Sequence, residues 1–165
     1  VASPKSTATR PMADKVRAAL FNVVGDISGM IVLDAYAGSG AVGFEALSRG
    51  ADRTVGIEFG RAATQAIKTN TEKLNVGNEY KLSNTTVEAW LKHQPPAPIF
   101  DLIVADPPYD RLQPAVVEKL GSLLKPGGIL VVSHSSRLEL PQLARLIHID
   151  TKMYGDTALS FYKPT

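Results

Sequence analysis

Two short apolar runs constrain this chain more than any other feature: Met30-Ile31-Val32-Leu33, closing on Asp34, and residues 99–105, broken only by Asp101. A strand with one wet face alternates polar and apolar residues. A run without alternation must be covered on both sides, as strands are inside a parallel sheet layered between helices. The text between the runs supplies such helices. Val16, Ala19, Leu20, Val23 and Val24 recur at helical spacing after Pro11, a residue suited to a first turn. Helices are expected over residues 42–49, closed by Gly50, and over 62–74, 87–92 and 114–124, with strands over 54–58, 81–83 and 129–133. Residues 94–98 read as a proline loop and 126–128 as a turn. The last third reads as a short helix with a strand over 140–149, then a final strand over 159–162. Repeated strand–helix units predict a doubly wound α/β sheet, whose ligands bind beyond the carboxyl ends of its strands.

The 165 residues suffice for one domain, opening on an extended arm at residues 1–10. The 18 Lys plus Arg against 16 Asp plus Glu leave a formal charge of +2, too little for a field that gathers polyanions indiscriminately. Nucleic-acid contact must then be local. The sequence has no Cys, which excludes thiolate metal sites and a cysteine nucleophile. Its three histidines, His93, His134 and His148, lack ligand spacing, so no metal is expected. The polar opening is unlike a signal peptide and no apolar run reaches membrane-spanning length, so a soluble, cytoplasmic protein is expected. The start at Val1 rather than Met points to a processed or trimmed beginning.

Asp34-Ala35-Tyr36-Ala37-Gly38-Ser39-Gly40-Ala41-Val42-Gly43 follows the first core strand, and Gly38 to Gly43 matches G-x-G-x-x-G. Glycines there allow a sharp turn and let a ligand reach backbone N–H groups. A plain tight turn would use the same residues. Glu58, ending the next strand, is placed to accept hydrogen bonds from ribose hydroxyls, the alternative being a solvated acid. NAD and S-adenosylmethionine both suit this layout. A carboxylate four residues before the first glycine would repel a pyrophosphate but attract a sulfonium and an ammonium group, which favours S-adenosylmethionine over NAD. Asp34 can equally anchor the loop through backbone N–H groups.

After the second core strand comes Asp106-Pro107-Pro108-Tyr109. Two successive prolines fix φ and remove two donors, leaving the Asp106 carboxylate and Pro107 carbonyl as a stiff acceptor pair for the two hydrogens of an exocyclic amine. Tyr109 offers a face for base stacking. A nucleobase amine is a poor nucleophile because its lone pair is delocalised. Gripping both N–H bonds favours the pyramidal nitrogen that attacks a methyl group in line, and such orientation is worth about 7–11 kcal/mol. Asp106 is also placed to take the proton afterwards. The plain alternative is a strand-ending turn.

Taken together, Asp34 to Gly43, Glu58 and the Asp-Pro-Pro-Tyr tetrad resemble the nucleic-acid amino-methyltransferases. Thr9-Arg10-Pro11, Asp14-Lys15-Val16-Arg17, Leu20-Phe21-Asn22, Glu45 to Ala51 and Tyr154 to Thr157 narrow the resemblance to the bacterial small-subunit rRNA guanine-N2 methyltransferase family, over nearly the whole chain. The resemblance implies a Rossmann-like class I methyltransferase fold with a mostly parallel seven-stranded sheet, S-adenosylmethionine as donor, and methylation of guanine N2 in 16S rRNA within an assembling small subunit. It places Asp34, Ala35, Gly38 and Gly40 at the methionine end, Glu58 and Phe59 at the ribose, Thr86 and Val87 near the adenine, and residues 106–109 at the target base. Phe21 and Asn22 would line the cofactor mouth, though Phe21 serves equally as core. Gly60 and Thr86 stand where the family commonly carries Asp, and the hairpin that precedes the arm in most members is missing. Arg10, Lys15 and Arg17, with Lys5, form a local basic patch for RNA phosphates, which position a strand while the pocket reads the base. Trp90 shares helical spacing with Val87 and Leu91 and is expected in the core. The competing readings are a DNA adenine-N6 or cytosine-N4 methyltransferase, an NAD-dependent oxidoreductase, and a non-catalytic RNA-binding module.

Overall fold

The computed structural model describes residues 12–94, 97–108 and 112–165. Its elements are α1 (Asp14–Val24), β1 (Ile31–Ala35), α2 (Ala41–Ser48), β2 (Arg53–Ile57), α3 (Arg61–Lys73), β3 (Tyr80–Ser83), α4 (Val87–Lys92), β4 (Phe100–Ala105), α5 (Pro114–Gly121), β5 (Leu124–Ser135), β6 (Leu146–Tyr154) and β7 (Thr157–Pro164). They build one seven-stranded sheet in the order β3-β2-β1-β4-β5-β7-β6. The first five strands run parallel, and β7 is antiparallel to both β5 and β6. This is the expected doubly wound, mostly parallel sheet.

The unbroken apolar runs become its centre for the reason their pattern gives. On β1, Leu33 and Ala35 pack on one face with Trp90, Val116 and Leu120 of α4 and α5. Val32 packs on the other with Val16 and Leu20 of α1 and Val42 of α2. Both faces are dry, and the one polar residue β1 carries is Asp34, at its carboxyl end. Asp101, the one polar residue in the β4 run, accepts the Ile31 N–H at 2.8 Å and lies 3.4 Å from Lys125 Nζ, which satisfies it at the sheet's amino end.

Two expectations are corrected. The turn at 126–128 is a bulge inside β5, where pairing with β4 jumps from Phe100–Leu124 to Leu102–Ile129. Gly128 sits there because a Cβ would approach the Lys125 and Asp101 carbonyl oxygens at 2.9 and 3.1 Å. The helix expected within 140–149 does not form. Residues 136–145 cross the sheet without regular structure, and β6 starts at Leu146. Glu118 Oε1 accepts the Ala144 N–H at 2.7 Å, and Arg145 adopts a left-handed φ of 61°, which no continuing helix permits. Helix α5 also stops at Gly121, earlier than expected, and Leu123 and Leu124 turn into the core.

No helix among the described residues is long and apolar enough to cross a membrane. Ile103, fully buried in β4, and Ile149, half-exposed on β6, test this account of the core. Ile103→Ala should cost about 2–5 kcal/mol in urea unfolding, and Ile149→Ala under about 0.5. Equal costs would contradict the layered core.

Candidate active site

The strand order reverses between β1 and β4, whose carboxyl ends therefore face a common crevice. Asp34 pairs in register with Val104, and Ala35 with Ala105, so Asp106 emerges one step beyond the tip of β1. The glycine loop folds over this crevice. The Ala37 N–H reaches the Ile57 carbonyl at 2.9 Å, and Gly40 leads into α2 with φ at 85°. A Cβ on Gly40 would also lie 2.7 Å from Phe44 Cε2, so glycine is required by conformation and by space. Gly38 differs. Its φ is 58°, yet a Cβ there would meet nothing within 4 Å, so this glycine faces open space.

Glu58 fastens the loop to the next strand. Its Oε1 accepts the Gly38 N–H at 2.8 Å, while Oε2 accepts the Phe59 and Gly60 N–H groups at 3.1 and 2.8 Å. The last two open α3, where a carboxylate complements the helix dipole. A Cβ at residue 60 would stand 3.0 Å from Glu58 Oε2, so Gly60 leaves the acid room to fold back on its own backbone. Beside it the Phe59 side chain is 64% exposed, unusual for a residue flanking a buried acid.

Asp34, Glu58 and Asp106 thus converge, and among the described residues no Lys, Arg or His pairs with any of them. Asp34 is 2% exposed and accepts one backbone N–H, from Gly43, at 3.3 Å. Burial pushes its carboxyl well above the usual carboxylate range. The Gly43 bond opposes this shift, while the negative charges of Asp106 and Glu58 add to it. Asp106 is half-buried; burial pushes it up to about 6, and a hydrogen bond from the Ser133 hydroxyl of β5 opposes the rise. Tyr36, left-handed at φ 65°, is pushed up to about 12 by burial and by Glu88. Uncompensated acids beneath an open glycine suit a ligand that brings its own positive charge. The donor set therefore fits S-adenosylmethionine, whose sulfonium and ammonium groups are cationic, better than the pyrophosphate of NAD.

The remaining expected residues divide. Pro107 is buried and Pro108 exposed at the end of β4, whereas Tyr109 and Arg10 lie outside the described residues. Ala35 is buried in the sheet, which leaves it only backbone to offer a ligand. The Thr86 hydroxyl caps α4 by accepting the Ala89 N–H at 3.1 Å, which leaves its own O–H to donate, and Val87 is core. Phe21 takes the core role that was its alternative, and Asn22 requires correction. Helix α1 descends beside α2, and Phe21 is buried under the Arg49 guanidinium, 5.0 Å from its ring, at the amino end of the sheet. Asn22 is exposed at that same end, away from the strand tips. Lys15 is exposed near the tips. Arg17 is instead tied to Glu45 at 2.8 Å and to Asp14 at 3.0 Å, which pins α1 to α2. Trp90 is core, packed on Phe100 as its spacing suggests.

Two of the three histidines, which lack ligand spacing in the sequence, are linked through hydroxyl groups. His134 Nε2 meets Ser160 Oγ at 2.7 Å, Ser160 meets Thr151 at 2.8 Å, and Thr151 meets His148 Nε2 at 2.7 Å. His134 Nδ1 lies 2.9 Å from the Ser135 carbonyl, which can only accept, so that nitrogen carries a hydrogen. The chain borders a cavity of about 1180 Å³ under residues 136–145, on the β5-β7-β6 face and separate from the crevice. Only the antiparallel pairing of β7 brings positions 134, 148, 151 and 160 together, and nothing local in the text announces it. Among the described residues no cluster of His and acidic side chains could hold a metal.

Comparison with known proteins places this geometry. The family model described as "Conserved hypothetical protein 95" matches residues 1–163, and the chain belongs to that family. The chain is 31% identical over 163 residues to "Putative rRNA methyltransferase YlbH" of Bacillus subtilis, covering 95% of this chain and 89% of that protein. It is 34% identical over 128 residues to "Ribosomal RNA small subunit methyltransferase D" of Escherichia coli K12, covering 77% of this chain and 62% of that protein. The chain thus matches less than two thirds of that second relative. Among solved structures, "Putative methyltransferase yhhF from Escherichia coli" superposes with a TM-score of 0.85 at 30% identity, covering 99% of this chain and 91% of that one. A conserved hypothetical protein from Streptococcus pyogenes does so with a TM-score of 0.80 at 29% identity, covering 90% and 95%.

The acid cluster has a measurable cost. Asp106 titrates at about 6 in the fold against an ordinary value of 3.8, so the folded chain binds the proton more tightly and stability falls as pH rises from about 4 to 6. Asp106→Asn keeps the shape and removes the charge. It should raise stability by about 1–3 kcal/mol at pH 7.5 and by almost nothing at pH 4, read from denaturant midpoints. A loss at both pH values would mean that Asp106 is a structural acid.

Proposed function

We propose that this chain transfers a methyl group from S-adenosylmethionine to the exocyclic N2 amine of a guanine in small-subunit (16S) ribosomal RNA. The observation that carries this reading is the acid cluster at the β1 and β4 tips, with which no basic side chain among the described residues pairs, immediately beside Asp106-Pro107-Pro108. Membership of a family whose named relatives are rRNA methyltransferases supports the choice of RNA. Residues 1–165 act as one methyltransferase domain, in the cytoplasm, on the assembling small subunit.

S-adenosylmethionine, when bound, supplies an electrophilic methyl carbon on a positively charged sulfur. This chain's own residues do the rest. Asp34 and the backbone of Ala35, Gly38 and Gly40 hold the cationic methionine end. Glu58 accepts from the ribose hydroxyls; three of its roughly four lone-pair directions are engaged by backbone N–H groups, so the ribose competes with the Gly38 bond. Phe59 offers its exposed ring alongside. With one acceptor position of the Thr86 hydroxyl taken by its helix, the adenine is read by backbone around Thr86 and Val87 and by the remaining Thr86 O–H. At the target, the Asp106 carboxylate and Pro107 carbonyl accept the two amine hydrogens and Tyr109 stacks on the base. The nitrogen forms its bond to the methyl carbon as the carbon–sulfur bond breaks, and Asp106 receives the proton the nitrogen gives up. A carboxyl near 6 suits that role, because it is mostly ionised before transfer yet basic enough to take a proton. The guanine must be splayed from its stack to enter. Lys15 and Arg10 contact phosphates on the approach, while Arg17 holds α1 in place through Glu45.

Transfer of labelled methyl groups to small-subunit rRNA, with the product base mapped by mass, tests this. Asp106→Ala should lower turnover about 100-fold or more while changing affinity for S-adenosylhomocysteine less than about threefold. Methylation of duplex DNA in place of rRNA, or undiminished turnover in the variant, would overturn the proposal.

A further inference from the structure

Tyr80 presents a buried polar atom without a described role. It belongs to the edge strand β3, is 4% exposed, and stacks on Phe44 with ring centroids 4.6 Å apart. Its hydroxyl is the one buried side-chain polar atom among the described residues with no hydrogen-bond partner. Buried polar groups in folded proteins are nearly always paired, so an orphan calls for a reason.

The surroundings make room for this hydroxyl in particular. A Cβ on Gly56 would lie 2.2 Å from Tyr80 Oη, and one on Gly43 would lie 2.6 Å from its ring. Gly56 pairs in register with Asp34 on the neighbouring strand, and the Gly43 N–H is the bond donor to Asp34. Adjacent strands stand about 4.8 Å apart. The two glycines that open the slot for the phenol therefore flank Asp34, and the phenol is near enough for the charges of Asp34 and Glu58 to act on it. A phenylalanine would fill the same slot for packing alone.

We propose that Tyr80 is a positioning residue of the donor site, holding its hydroxyl in reserve for Asp34 to be hydrogen-bonded when a cationic ligand ionises that acid. This rests on the reading that Asp34 faces the positive end of S-adenosylmethionine. In the free protein Asp34 is buried beside other acids, conditions that favour its neutral form, and it accepts one long backbone bond. A positive charge placed beside it favours the carboxylate, which demands further donors, and the phenol is the nearest one idle. S-adenosylhomocysteine keeps the ammonium group but lacks the sulfonium charge, so its binding draws on this donor less. The hydroxyl thereby helps the site prefer donor over product.

Tyr80→Phe tests this through binding of S-adenosylmethionine and S-adenosylhomocysteine by calorimetry, with the thermal midpoint measured alongside. The variant should bind S-adenosylmethionine about tenfold more weakly, bind S-adenosylhomocysteine within about twofold of the parent, and melt no lower than the parent. An unchanged ratio of the two affinities, or a lowered midpoint with both affinities reduced equally, would overturn the inference and leave Tyr80 a packing residue. Failure of the parent chain to bind either ligand would instead remove the donor reading itself, and this inference with it.

Discussion

The parallel pairing of β1 with β4 is the constraint on which the rest depends. Asp34 beside Val104 and Ala35 beside Ala105 bring the exits of two strands, 70 residues apart in the chain, to one edge. Everything chemical follows from what each strand carries as it leaves the sheet: a glycine loop from β1 and an acid with two prolines from β4. Both strands are dry on both faces, so neither can slide without exposing apolar surface or burying polar groups. A rigid core thus holds two acids close together that would repel each other in isolation.

That repulsion costs stability, and no basic side chain among the described residues relieves it. Arg17 and Arg49 pair instead with Glu45, on α2 and outside the crevice. Basic side chains therefore fasten helices while the crevice keeps its negative charge. The Tyr80 hydroxyl, without a partner beside Asp34, belongs to the same pattern. Groups left unsatisfied in the free protein give a ligand of the right charge more to gain on binding, and the free protein is less stable for it.

Much of this was legible in the text. The apolar runs announced the buried strands, the glycines the loop, and the order of Asp34, Glu58 and Asp106 the crevice, because each signal is local and its physical cause is local. Where geometry depended on distant chain, reading failed. Asn22 reads as lining the cofactor mouth, and Phe21 as either that or core, because nothing in α1 says which of its ends meets the strand tips. The helix over 140–149 was expected from apolar residues that serve instead as single anchors, Leu143 and Leu146, for an irregular crossing. The His134–Ser160–Thr151–His148 chain and the slot that Gly43 and Gly56 form for Tyr80 required strand pairings invisible in any window of sequence.

A crystal structure of the chain with S-adenosylhomocysteine tests the central claim most directly. The account predicts the thioether sulfur between the tips of β1 and β4, with the ribose hydroxyls on Glu58 and the Gly38–Glu58 hydrogen bond lengthened or replaced. A ligand seated in the cavity under residues 136–145, with the crevice acids untouched, would contradict it.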